Sequence, residues 1–265
     1  MTVDGTVTVT NPENNGSEAS INGKYYPTLA EAIKNAHPGG TIKLVRDIEN
    51  AMDTAGASNG TAAYTIPAGV TLAGDGHKLA ASSNWNATNH PIIGVTTGAA
   101  DATTTIIKNL TIDGSGKSGH GINVWSGSDP KSIVKIEDVT IINTATAGMV
   151  VNNSTVTASG LKTKGNAWGA VNVDKGASFK LTGTDNELKE NVQVYSEDAG
   201  QGGSNITVEG AGLKEVKSYK KNVGSVLKGY TYYTDDVSKL GEAYNTKTNT
   251  VYEDADDAIN EAKAN

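Results

Sequence analysis

Short apolar strands, spaced by turn residues and with no helical periodicity between them, run through the middle of the chain. Asn-Leu-Thr-Ile-Asp-Gly (109–114), Asp-Val-Thr-Ile-Ile-Asn (138–143) and Gly-Leu-Lys-Thr-Lys-Gly (160–165) fit one template. Each is followed by a turn-rich gap and a second apolar strand: Gly121–Val124, Gly148–Val151 and Ala170–Val173. A looser copy pairs Phe179–Leu181 with Asn191–Val194. A recurrence of roughly 21–27 residues, built from strands of four to six residues, predicts a stacked β-solenoid. From residue 41 to about 218 the pattern predicts strands at 41–45, 64–66, 70–72, 92–95, 104–112, 121–124, 133–142, 149–151, 155–163, 171–173, 178–181, 192–195 and 206–208. These make about eight coils. Asn109, Gly114, Asn143, Gly148, Gly165, Asn166 and Gly169 flank the strands and suit corners that require positive φ.

Helical spacing occurs in two places. Leu29, Ala32, Ile33 and Ala36 fall on one face of a helix over 28–36, with Thr28 as N-cap and Glu31 completing a capping box. Pro38-Gly39-Gly40 stops it. Such a helix before the first strand would cover the open end of the stack. Near the C-terminus, residues 251–262 echo 25–36 without a gap, matching Tyr252 to Tyr26, Ala258 to Ala32, Ile259 to Ile33 and Ala262 to Ala36. The second helix is expected either to cap the far end or to open a further module. Three regions follow: a polar segment with one strand at 6–10 (1–24), the stacked body with its capping helix (25–218), and a Tyr-rich C-terminal region (219–265).

Composition narrows the core. Hydrophobic residues make up 37% and aromatics 5% of the chain, against 31 glycines, which suits stacked Val, Ile, Leu and Ala rather than a helical bundle. The net charge of −7 and the absence of a basic patch argue against a nucleic-acid partner. Without cysteine there is no disulfide framework and no Cys-ligated zinc. No stretch approaches the length of a membrane span, so no membrane insertion is expected. Met1-Thr2-Val3-Asp4-Gly5 is not a signal peptide, so an exported protein would carry this sequence as a mature portion.

Residues 25–48, with Thr28, Leu29, Ala32, Ile33, Ala36, Gly40, Thr41, Ile42 and Leu44 at the matching positions, resemble the opening unit of right-handed parallel β-helix proteins of the pectate-lyase-like superfamily. Tyr64-Thr65-Ile66-Pro67-Ala68-Gly69-Val70-Thr71-Leu72 is similar to that family's second coil. The Tyr-Tyr before the helix and the Asp-Ile after the strand look most like modules of surface and adhesin proteins from Gram-positive gut bacteria. The resemblance covers residues 25 to about 215. It implies an all-β, right-handed parallel β-helix solenoid with a short N-terminal capping helix and a short C-terminal helix. It leaves activity open, because the superfamily holds lyases, glycosidases, esterases, adhesins and inert stalks.

The residues supply little catalytic chemistry. Lyases of this kind need a basic catalyst and clustered carboxylates for calcium, but Arg46 is the only arginine, beside the cap, and no set of six to eight oxygen ligands is visible. Gly119-His120-Gly121 resembles an element of β-helical polygalacturonases. No Asp-Asp precedes it, since Asp235-Asp236 and Asp256-Asp257 lie far downstream, and no Arg-x-Lys follows, so His120 reads as a solvated turn residue. The four histidines are scattered. No cofactor, metal site or catalytic set is expected.

Trp85, Trp125 and Trp168 lie among Asn, Ser and Gly, where an indole could stack on sugar rings or cover an apolar gap. The tyrosines at 219, 230, 232, 233, 244 and 252 read as packing for the end of the rod. The candidate ligand surface is therefore Asp113, His120, Trp125 and Trp168. The expectation is a monomeric, non-catalytic extracellular bacterial surface module, stalk- or adhesin-like, with glycans or host and cell-surface proteins as partners. The alternative is a polysaccharide-active enzyme with a degenerate site, which would require two carboxylates to meet in a groove.

Overall fold

The computed structural model describes residues 16–52, 61–86, 89–95, 104–125, 133–197, 204–224 and 226–264. The strand expected at 6–10 lies outside them. Within them the chain is all-β, with two short α-helices, α1 (Leu29–Asn35) and α2 (Ala255–Ala264).

Two large sheets share the strands. In the first, Thr41–Leu44, Thr71–Ala73, Thr104–Asp113, Ile133–Ile142, Thr155–Ser159, Ser178–Thr182 and Asn205–Val208 pair in parallel, each with the next. In the second, Tyr64–Ile66, Ile93–Val95, Ile122–Trp125, Ala147–Asn152, Gly169–Asp174 and Val194–Glu197 do the same. The chain visits the sheets alternately, so each rung contributes a strand to both.

The pattern of inward residues explains why register is held. Ile107, Ile136, Ala158 and Leu181 are register partners and all buried. So are Ile122, Met149, Val171 and Val194 in the second sheet. A slip of one residue would turn each of these side chains outward, so the apolar column enforces the ladder.

Corners are made by three devices. Asn109 and Asp138 adopt positive φ inside the two ten-residue strands and bend each into two arms, and Gly160 takes the same role one rung later. Asn143, Gly165 and Gly169 also have positive φ. Gly114, Gly148 and Asn166 do not, which corrects the expectation for those positions. The two glycines are required instead by close approach. A Cβ at Gly114 would lie 2.5 Å from the Asn143 carbonyl oxygen, and one at Gly148 would lie 2.8 Å from that of Ala170. Asn166 acts through its side chain. It accepts from Thr144 N and Oγ1 (3.1 and 2.9 Å) and donates to the Ile141 carbonyl (3.1 Å) and to Glu190 (2.7 Å), filling a buried corner.

Helix α1 spans 29–35, one residue shorter at each end than its pattern predicts. Thr28 Oγ1 accepts from Glu31 N (3.2 Å), and Leu29 and Ala32 are fully buried. A hairpin, Ala19–Ile21 with Lys24–Tyr26, precedes it and pairs antiparallel with Thr41–Leu44, closing this end of the first sheet. Sequence reading missed this hairpin, as well as Ile48–Ala51 and Lys78–Ala81, which pair in parallel beside the main path. Sequence reading also ran Thr155–Ser159 and Lys162–Lys164 together across Gly160.

Truncating one member of a buried column leaves a cavity that its neighbours in adjacent rungs cannot fill. Ile136→Ala is expected to cost about 3 kcal/mol in urea unfolding. Lys135→Ala, on the outer face of the same strand, should stay within about 0.5 kcal/mol of the parent.

Candidate functional site

The outward residues of the two sheets differ in kind. On the first they are exposed ion pairs, among them Lys43–Asp75, Lys78–Glu49, Lys180–Glu209 and a Lys162–Glu187–Lys189 chain. Exposed pairs of this sort contribute little to stability and keep the face wet.

The second sheet carries two columns on the side opposite its apolar core, in which Val150, Asn172, Asp174 and Tyr195 are nevertheless buried. Register aligns Asn123, Val150, Asn172 and Tyr195 in one column. Trp125, Asn152 and Asp174 form the other, and Glu197 continues it. The antiparallel strand Tyr230–Thr234 then adds Tyr232 opposite Tyr195 and Tyr230 opposite Glu197. The Oδ1 atoms of Asn123 and Asn152 are buried without a hydrogen-bond partner. Asp174 is occupied, accepting from Ser196 Oγ (3.2 Å) and Glu197 N (2.8 Å).

Two indoles stand at opposite ends of these strands. Trp125 closes its strand at 51% exposure, with Lys175 Nζ 5.9 Å from its ring centroid. Trp168 precedes Gly169–Asp174 at 56% exposure. It meets the His120 ring edge-on, centroids 6.1 Å apart. Beyond Trp168 an open groove is lined by Val192, Tyr195, Glu197, Tyr230, Tyr232 and Glu253. Tyr230 stacks on Tyr232 (5.6 Å, 19°). Burial is the main reason the Tyr195, Tyr230 and Tyr232 phenols are pushed above their usual range, and nearby Glu197 adds to it. All three therefore remain O–H donors at neutral pH.

The expected residues divide accordingly. Trp125 and Trp168 frame one face. His120 supports Trp168 and is not a solvated turn residue: its Nδ1 lies 2.6 Å from Thr146 Oγ1, and burial lowers its pKa to about 4. Asp113 belongs to the first sheet, where it accepts from Ser115 N (2.9 Å) and Asn143 Nδ2 (3.2 Å), a turn role. Trp85 is 4% exposed and joins the core. Tyr195, which is 7% exposed, and the half-buried Tyr230 and Tyr232 were missed as lining of this groove. Alternation along 194–197 and 230–234 does put them on one face, but only the antiparallel pairing of those strands brings them together. Tyr219 and Tyr252 stack on each other (5.1 Å), with Tyr252 buried.

Among the described residues, no group of three or more His, Asp and Glu is placed to hold a metal ion, and no helix is long and apolar enough to cross a membrane.

His120 gives the face a pH dependence whose sign is fixed. Its folded pKa, about 4, lies below the ordinary 6.5, so the unfolded chain binds more protons between those values. Stability contributed by neutral His120 is complete above pH 6.5 and is lost as pH falls towards 4. The denaturation midpoint should drop across that window in the parent protein, and His120→Gln should remove that part of the drop. An unchanged pH profile in the variant would show that His120 is not held neutral.

No family model, no curated protein and no solved structure matches the chain.

Proposed function

We propose that the chain is a right-handed parallel β-helix module of an extracellular bacterial surface protein, stalk- or adhesin-like, that contacts glycans without turning them over. The fold assignment rests on the alternating parallel sheets together with the resemblance of residues 25–48 and 64–72 to the pectate-lyase-like superfamily. The surface location rests on that resemblance.

The glycan reading is carried by one observation: two half-exposed indoles, Trp125 and Trp168, stand on one sheet, and an open groove carrying Tyr230 and Tyr232 lies beside Trp168. Flat apolar ring surface with hydrogen-bonding groups at its edge suits a pyranose, which presents C–H groups on its faces and hydroxyls around its rim. In the groove beside Trp168, the Tyr230 and Tyr232 O–H groups can donate to such hydroxyls and the Glu197 and Glu253 carboxylates can accept from them. Trp168→Ala and Trp125→Ala are each expected to weaken binding on a glycan array about tenfold, in line with about 1.4 kcal/mol for a lost aromatic contact. Profiles identical to the parent, or no binding by any of the three proteins, would reject the platform.

One feature favours the catalytic alternative. Glu197 and Glu253 share the groove with Tyr230 and Tyr232, and paired carboxylates are what glycoside hydrolysis requires. The non-catalytic reading expects no reducing-end release from any oligosaccharide that the protein binds. Release that disappears in both Glu197→Gln and Glu253→Gln would replace that reading with a hydrolase.

A further inference from the structure

Residues 242–264 rebuild the unit formed by residues 18–36. Each begins with an antiparallel hairpin in which an alanine faces a tyrosine: Ala19 opposite Tyr26, and Ala243 opposite Tyr252. The second hairpin's loop is two residues longer. Each then enters a helix three residues after that tyrosine, and the first helical N–H is capped by the glutamate that precedes the alanine. Leu29 N donates to Glu18 Oε2 (2.9 Å), and Ala255 N donates to Glu242 Oε2 (3.2 Å). The shared bond extends the match upstream of the stretch where the sequences align without a gap.

The two units differ in what covers them. In the first, Thr41–Leu44 lies antiparallel on Ala19–Ile21, with Leu44 opposite Ala19 and Ile42 opposite Ile21. Leu29 and Ala32 are fully buried, Ala36 is 9% exposed, and Ile33 packs against the core. In the second, Ala243–Asn245 is the terminal strand of its sheet. Helix α2 has no buried residue, and Ile259, the counterpart of Ile33, is 48% exposed. The opposite side of this hairpin is already anchored, because Thr250–Tyr252 pairs in parallel with Lys214–Ser218. Among the described residues no strand occupies the other edge of Ala243–Asn245, the counterpart of the edge that Thr41–Leu44 occupies in the first unit.

We propose that residues 242–264 are a joint that receives the leading strand of a second parallel stack. That strand has the alternation of Thr41-Ile42-Lys43-Leu44 and runs antiparallel to Ala243–Asn245, placing its apolar residues opposite Ala243 and Asn245. It is connected through α2, just as residues 36–40 lead from α1 into Thr41–Leu44. The first rungs of the added stack cover Ala255, Ala258, Ile259 and Ala262. An exposed apolar helix face favours burial, and a strand edge that no described residue pairs is a ready template for a further strand; one strand of this pattern answers both. The proposal does not depend on the glycan reading.

The test extends the full chain after Asn265 with a second copy of residues 37–218 and follows amide hydrogen exchange by mass spectrometry. The control carries Ile42→Asp and Leu44→Asp in the added copy alone. Exchange at 243–245 and 255–264 is expected to slow about 10–100-fold in the extended chain and not in the control. Unchanged rates at those amides, or an added copy that stays unprotected throughout, would overturn the joint. So would a dimer of the unextended chain that protects the same amides, since the occupant would then be a second copy.

Discussion

Parallel pairing between successive rungs is the constraint on which the rest depends. A strand in such a stack satisfies its backbone groups only through the strands before and after it, so each rung requires its neighbours. Apolar columns hold the register because a one-residue shift would expose them all. The same logic makes the ends expensive. The 19–26 hairpin and α1 close one end by turning antiparallel to Thr41–Leu44, which ends the parallel run and buries Leu29 and Ala32. At the far end the chain again changes direction, as Tyr230–Thr234 pairs antiparallel with Val194–Glu197.

This reversal also shapes the candidate site. A parallel stack repeats its outward residues in columns, so a feature of one rung tends to lie directly above its counterpart in the next. The column runs through Asn123, Val150 and Asn172 to Tyr195, and the antiparallel strand then adds Tyr232 and Tyr230 beside Tyr195 and Glu197. The strand that ends the parallel run thus contributes half of the aromatic groove, and Trp168 at the neighbouring corner supplies its other wall. Among the described residues, the opposite sheet, with its solvated ion pairs, has no comparable concentration of aromatic rings.

Much of the architecture was legible in the residues. The alternation in 104–113 and 133–142, the turn residues between strands and the spacing of Leu29, Ala32 and Ile33 all reflect local rules: period two, period 3.6 and tolerance of positive φ. The shortfalls occurred where local rules were silent. Ile48–Ala51 and Lys78–Ala81 do not alternate: the first buries only its two ends, and the second buries three residues in a row. Gly114 and Gly148 resemble turn glycines but serve close backbone approach, a property of two rungs together. His120 looked solvated because Gly119 and Gly121 suggest an open turn, whereas Thr146 and Trp168 from later rungs enclose it.

By itself, therefore, the sequence determined which side chains turn inward, where the chain bends and that the pattern of residues 25–36 recurs at 251–262. These follow from patterns carried within a few residues. Only the tertiary structure decided which outward residues meet. Trp168, Tyr195 and Tyr232 come together through strand pairings between distant segments, and such pairings cover helix α1 while, among the described residues, Ala243–Asn245 stands at the end of its sheet. Local periodicity sets the direction of a side chain; its neighbours are set by register across the stack.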